Sequence, residues 1–85
     1  MKLYLSEECG IDPGAVVGIF DMDTATVAPA SRSYLKRVER AGKTVLTTGE
    51  IPVSFVVTAG GEETIYFTRN APRVLARRIR ILGLK

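Results

Sequence analysis

The chain has 85 residues, a formal net charge of +3 at pH 7, 46% hydrophobic residues and 25% charged residues, a composition that fits one small folded domain with a thin core and excludes a disordered segment. Histidine is absent and cysteine occurs once, which removes the usual general base near neutral pH, the commonest transition-metal ligand and any internal disulfide. The opening Met1-Lys2-Leu3-Tyr4-Leu5 soon meets Glu7 and Glu8, too short an apolar run for a signal peptide or a membrane span, and with a lone cysteine this predicts a cytoplasmic protein with no membrane partner.

In chain order, Leu3, Tyr4 and Leu5 predict a short edge strand, and Ile11-Asp12-Pro13-Gly14 carries turn chemistry, because proline presets its φ and glycine tolerates a left-handed backbone. Residues 15–20 form an apolar run with Gly18 inside it, which reads as a buried strand with a bulge or a close backbone approach at the glycine. Residues 21–28 read as a polar loop bearing threonine. Pro29 opens a helix expected over residues 29–41: Tyr34, Leu35, Val38 and Ala41 form an apolar stripe, Arg32, Lys36 and Arg40 fall opposite, and Gly42 ends it. Residues 44–48 predict a β-branched strand, residues 49–52 a turn, residues 53–58 a further strand, and Gly60-Gly61 a tight hairpin into residues 64–68. Asn70 as N-cap and Pro72 just inside start a second helix, with apolar residues Val74, Leu75, Ile79, Ile81 and Leu82. Gly83 marks its end, and residues 83–85 are expected to form a flexible tail. The expected fold is α+β in the order β-β-α-β-β-β-α, a mainly antiparallel sheet of about five strands with two helices on one face, in a single domain over residues 1–85.

The charge is strongly polarised along the chain. Residues 1–28 carry Lys2 against Glu7, Glu8, Asp12, Asp21 and Asp23, whereas residues 69–85 carry Arg69, Arg73, Arg77, Arg78, Arg80 and Lys85 with no acid. Arg69, Arg73, Arg77 and Arg80 are spaced to share one helical face, and guanidinium groups so stacked repel one another unless solvent or an anionic partner screens them. A purely solubilising surface mixes signs, so this face is the strongest functional signal in the chain. Arg78 projects toward the Val74 and Ile81 side, where it either snorkels across a hydrophobic interface or meets an acid.

Other candidate chemistry is weak. Asp21 and Asp23 stand two apart without a third ligand, which favours a turn or cap over a metal site. Gly14-x-x-x-Gly18 has neither the lysine of a phosphate-binding loop nor the spacing of a dinucleotide fingerprint, and Gly60-Gly61 has neither motif. Thr47-Thr48 and Ser31-x-Ser33 have no base within sequence reach, and a covalent catalyst needs one. No catalytic residue, metal site, cofactor or small-molecule substrate is therefore expected. Cys9 is expected to be a small, partly buried residue beside a turn.

The segments Leu3-Tyr4-Leu5, Val17-Gly18-Ile19-Phe20-Asp21, Pro52-Val53-Ser54-Phe55-Val56-Val57-Thr58 and Ile65-Tyr66-Phe67-Thr68 resemble the small bacterial extracellular-matrix regulatory proteins, the RemA/RemB group, most closely its RemB branch. The resemblance runs over nearly the whole chain and rests on the order and spacing of short apolar motifs. It implies a cytoplasmic bacterial regulator of matrix genes and biofilm, and a homo-oligomer, in the RemA branch a DNA-binding ring. RemA-like proteins carry an arginine-rich stretch, implicated in DNA binding, in the turn before the fourth strand. The matching positions here, after Gly49, are Glu50, Ile51, Pro52, Val53 and Ser54. A second important arginine of that branch precedes the second strand, where this chain reads Pro13-Gly14-Ala15.

The expectation is thus a non-enzymatic regulator that oligomerises and contacts double-stranded DNA through Arg69, Arg73, Arg77 and Arg80, helped by Arg32, Lys36 and Arg40. These are phosphate contacts, because no asparagine or glutamine accompanies them for base reading. The alternative is an interaction or scaffold module, partnering a RemA-like regulator, whose basic helix docks on an acidic protein surface. Glu50, Ile51, Pro52, Val53 and Arg78 are the expected subunit-interface residues.

Overall fold

The computed structural model describes residues 2–25, 29–61 and 63–81. Its centre is strand β5 (Ser54–Thr58), in which all five residues are buried. A strand's side chains alternate between faces, so β5 needs a cover on both sides, and it has one. Phe55 and Val57 join Ile65 and Val38 in one apolar cluster, while Val56 joins Leu3, Leu5, Ile11 and Leu75 in another.

The remaining elements follow from that requirement. Strands β1 (Leu3–Tyr4) and β2 (Gly10–Ile11) pair antiparallel as a separate two-stranded sheet. A 3-10 turn, Pro13–Ala15, follows, with the Asp12 carboxylate accepting the Gly14 amide at 2.9 Å. Strand β3 (Val16–Asp21) leads into a single helical turn, α1 (Met22–Ala25), and then into α2 (Pro29–Arg40). Strands β4 (Thr44–Leu46) and β6 (Thr64–Thr68) complete a four-stranded sheet of order β3-β5-β6-β4, and α3 (Pro72–Ile81) closes the described fold.

The result is three layers. Helix α2 lays Tyr34, Leu35 and Val38 over Phe55, Val57, Ile65 and Phe67 on one face of the large sheet. Helix α3 and the β1–β2 ribbon cover the other face with Leu75, Ile79, Leu3, Leu5 and Ile11 over Ile19, Val56 and Tyr66. Leu3, Leu5, Val56, Ile65 and Leu75 are all but fully buried, each contributing about 1.5–3 kcal/mol relative to exposure.

The α3 side is also fastened by polar groups. The buried Thr68 hydroxyl donates to the Leu5 carbonyl at 2.7 Å, and the Asn70 side-chain amide donates to the same carbonyl at 3.0 Å. The Ser54 hydroxyl donates to the Asn70 carbonyl. These bonds join the end of β1, the end of β6 and the entry to α3, so the polar atoms inside this layer are matched with one another.

Gly18 and Gly60 each have a visible backbone reason. The register of β3 on β5 shifts between Val16 and Gly18, the bulge expected there, and a Cβ at Gly18 would lie 2.7 Å from the Phe20 ring. Gly60 adopts φ +108° in the β5–β6 connection, a conformation that side-chain-bearing residues rarely adopt.

Several expectations are corrected. Among the described residues the strands number six, not five, and form two sheets, because β1 and β2 pair with each other instead of joining the large one. The helices lie on opposite faces of that sheet, as the alternation in β5 demands. Strand β4 pairs parallel with β6 and stops at Leu46, two residues before the expected end. Met22–Ala25, expected as loop, is helical. Ala41 lies exposed beyond α2 and is not part of its packed stripe. The Ala71 carbonyl takes the first helical bonds, from Val74 and Leu75, so Ala71 rather than Asn70 stands at the cap position of α3. Leu82, Gly83 and the expected tail at 83–85 lie outside the described residues, as do residues 26–28 of the expected loop. Cys9 is half-buried against the apolar cluster, with its amide on Ser6, as expected.

Candidate nucleic-acid interface

Helix α3 forms because Pro72 has the φ of a first helical residue and its missing N–H would have no intrahelical partner there. Leu75 and Ile79, four apart, turn inward onto the sheet. Helical geometry then fixes where the arginines go. At 100° per residue Arg73, Arg77 and Arg80 share one arc, on the far side of α3 from Leu75 and Ile79, and all three are exposed. The row runs about 10 Å along the axis. Among the described residues no carboxylate pairs with it: the one ion pair there joins Arg69 to Glu50.

That ion pair removes Arg69 from the expected row. Arg69 precedes the helix by three residues, in the bend after β6. Its Nε lies 3.4 Å from Glu50 Oε2, and its Nη1 donates to the Ile51 carbonyl at 2.7 Å. The i,i+4 spacing to Arg73 is real in sequence, but Pro72 starts the helix too late for Arg69 to share its face. Both partners are largely exposed, so the pair positions the bend more than it stabilises the fold.

Arg78 also has an internal role. Its Nη1 donates to the Tyr4 carbonyl at 2.9 Å, and with Lys2, Leu3, Tyr4 and Ile81 it lines a shallow cleft of about 230 Å³. The guanidinium therefore bridges α3 to β1 within one chain.

The expected helpers Arg32, Lys36 and Arg40 are exposed on the outer face of α2. Because α2 and α3 cover opposite faces of the sheet, these residues do not extend the α3 row into one surface. They form a second row on the far side of the molecule. Arg32, Ser33 and Lys36, with Pro29, line a polar hollow of about 360 Å³. Arg37 stands apart from that row, its Cζ 5.4 Å from the centre of the Tyr34 ring.

Of the expected interface residues, Glu50 and Ile51 sit at the bend held by Arg69, and Ile51 is 82% exposed. Pro52 and Val53 are half-buried, and the Val53 backbone is engaged on both sides: its amide donates to Thr68 and its carbonyl accepts from Met22. Of the turn or cap expected at Asp21 and Asp23, the structure forms a cap: the Asp21 carboxylate accepts the Asp23 amide at 2.8 Å at the start of α1.

Sequence reading missed an apolar groove of about 350 Å³ between β3 and α2, walled by Val17, Phe20, Ala30 and Tyr34 and floored by Phe55 and Val57. Phe20 stacks on Phe55 with centroids 5.1 Å apart, yet Phe20 and Val17 remain 45% and 67% exposed. The available signal was the bulge: an extra residue in β3 leaves Val17 without a partner on β5. At the groove's wall the Tyr34 phenol is raised above its ordinary value, first by burial and then by its hydrogen bond to Glu63 and that carboxylate's charge, with Arg37 opposing.

Among the described residues no three acidic, cysteine or histidine side chains are grouped to hold a metal ion, and no helix there is long and apolar enough to cross a membrane. No protein-family model matches the chain, and no curated protein matches it.

Proposed function

We propose that this protein is a non-enzymatic bacterial regulator of the extracellular-matrix type, resembling the RemB branch, that contacts the DNA backbone through Arg73, Arg77 and Arg80 as a homo-oligomer in the cytoplasm. The observation that carries this reading is the α3 row itself: three exposed guanidinium groups on one arc, held on a helix anchored by Leu75 and Ile79, with no carboxylate beside them among the described residues. A rigid row of arginines suits phosphate oxygens, which guanidinium engages bidentately, and it gives affinity without base specificity. Arg69 contributes by holding the bend before the helix rather than by touching DNA.

A second reading is favoured by a different observation. The β3–α2 groove, with Val17 and Phe20 at 67% and 45% exposure on its wall, presents apolar surface suited to a protein partner. In that reading the molecule is an interaction module that docks on a RemA-like regulator.

The test is binding to a duplex of about 100 base pairs, shorter than the DNA persistence length, between about 50 and 200 mM salt. Wild-type protein is expected to lose affinity steeply with salt. The R73A/R77A/R80A variant, shown by light scattering to keep its assembly state, is expected to lose binding. A wild type that binds no duplex at low salt, or a variant that binds normally, overturns the DNA reading and leaves the interaction module.

A further inference from the structure

The two cationic rows lie on opposite sides of the molecule. On α2, Arg32, Lys36 and Arg40 recur every four residues along about 12 Å of helix axis, on the side away from the packed residues Tyr34, Leu35 and Val38. On α3, Arg73, Arg77 and Arg80 make a row of similar length on the side away from Leu75 and Ile79. Between them stand both helices and the sheet, in a body of 34 × 26 × 25 Å.

Neither row is neutralised by its own chain among the described residues. The single ion pair there is Arg69–Glu50, and Glu39, three residues after Lys36, makes none. Arg37, the other cation of α2, is drawn aside over Tyr34. Each helix therefore presents three like charges in register, a local repulsion that an anionic polymer relieves.

A single duplex cannot satisfy both rows. Bending 20–30 base pairs by 40–90° already costs about 1–6 kcal/mol, and reaching from one outer face to the other requires a reversal of direction around a body of 34 × 26 × 25 Å. Two separate segments can do so without bending.

We propose that the outer face of α2 is a second phosphate-binding surface, and that one subunit joins two duplex segments by holding one on α3 and the other on α2. This rests on the reading of α3 as a DNA-contacting helix. It adds a distinct surface and a distinct consequence: the protein condenses or loops DNA rather than merely coating it. Each row contributes its own counterion release, so loss of one row flattens the salt dependence by a slope of about 2–3 in log K against log salt, at about 0.9 per phosphate contact.

The experiment uses the full chain and two duplexes of about 100 base pairs, one immobilised on beads and one labelled in solution. Wild-type protein is expected to carry the labelled duplex onto the beads. The R32A/K36A/R40A variant is expected to bind a single duplex in a mobility-shift assay yet capture the second at least about tenfold less well. A charge-retaining R32K/R40K variant, which keeps the row as point charges, restores capture. Thermal melting of each variant verifies that it is folded.

Single-duplex binding without capture by wild type overturns the bridging proposal while sparing the α3 reading. Unimpaired capture by the α2 variant also overturns it, and assigns bridging to α3 rows of different subunits. Loss of assembly in the α2 variant by light scattering overturns it in favour of a protein contact. Failure of wild type to bind even one duplex removes both readings together, and the single-duplex arm identifies that case.

Discussion

The two faces of the large sheet are built to different standards. The α3 face is closed: Leu3, Leu5, Ile11, Val56 and Leu75 are buried together, and Thr68, Asn70 and Ser54 tie the surrounding backbone with hydrogen bonds. The α2 face is open along one side, where Phe20 and Val17 stand beside a groove that α2 does not fill. Each helix carries a three-cation row outward, but only α3 stands on a layer sealed at both the apolar and the polar level. A surface that must hold geometry against a charged partner needs such a foundation. An open apolar groove suits adaptable contact instead.

The sharpest way to break this contrast is to empty the closed face. Leu75→Ala removes a fully buried side chain, and urea unfolding is expected to report a loss of about 2–5 kcal/mol. Phe20→Ala, on the open face, is expected to cost well below that, because its ring is already 45% exposed. Equal costs at the two positions would erase the distinction.

A smaller effect tests the polar fastening. Thr68→Val keeps the shape and removes the donor to the Leu5 carbonyl. Chemical denaturation is expected to show a loss of about 0.5–1.5 kcal/mol, the usual net worth of one hydrogen bond, because the Asn70 amide still donates to that carbonyl. Amide exchange around β1 should accelerate with it.

The smallest effect belongs to the open face and to pH. Tyr34 is raised above 10.0 in the folded protein, so folding favours the neutral phenol. The associated stability is complete below the unfolded value near 10 and is lost as pH rises through the folded one. Tyr34→Phe is expected to flatten the decline in melting temperature at alkaline pH relative to wild type. An unchanged slope would mean that the phenol is not held in the neutral form by its surroundings.

Local signals in the sequence carried their elements well. Pro29 and the stripe Tyr34, Leu35 and Val38 define α2 to within a residue of Pro29–Arg40, and the alternation from Thr64 to Thr68 defines β6. Gly18 announced its bulge. What escaped is non-local. The two-residue strand β2 has no periodicity to detect, so its pairing with β1 went unseen, and nothing in Thr44–Leu46 distinguishes a parallel partner from an antiparallel one. The candidate site was legible to the same degree. Arg73, Arg77 and Arg80 share a face as spacing requires, whereas Arg69 was misplaced because spacing alone does not register where Pro72 starts the helix. The wide separation of Arg32, Lys36 and Arg40 from the α3 row follows from the sheet between them, which only topology reveals.

The clasp at Leu5 has a consequence for synthesis. Its partners Thr68 and Asn70 lie 63 and 65 residues further on, and Tyr4 waits 74 residues for Arg78. As the chain leaves the ribosome, the α2 layer has β3, β5 and β6 available before α3 emerges, while β1 has only β2 to pair with until then. Contacts so distant in sequence close late and slow folding. Leu3 and Leu5 therefore gain their final cover only when α3 docks over β1.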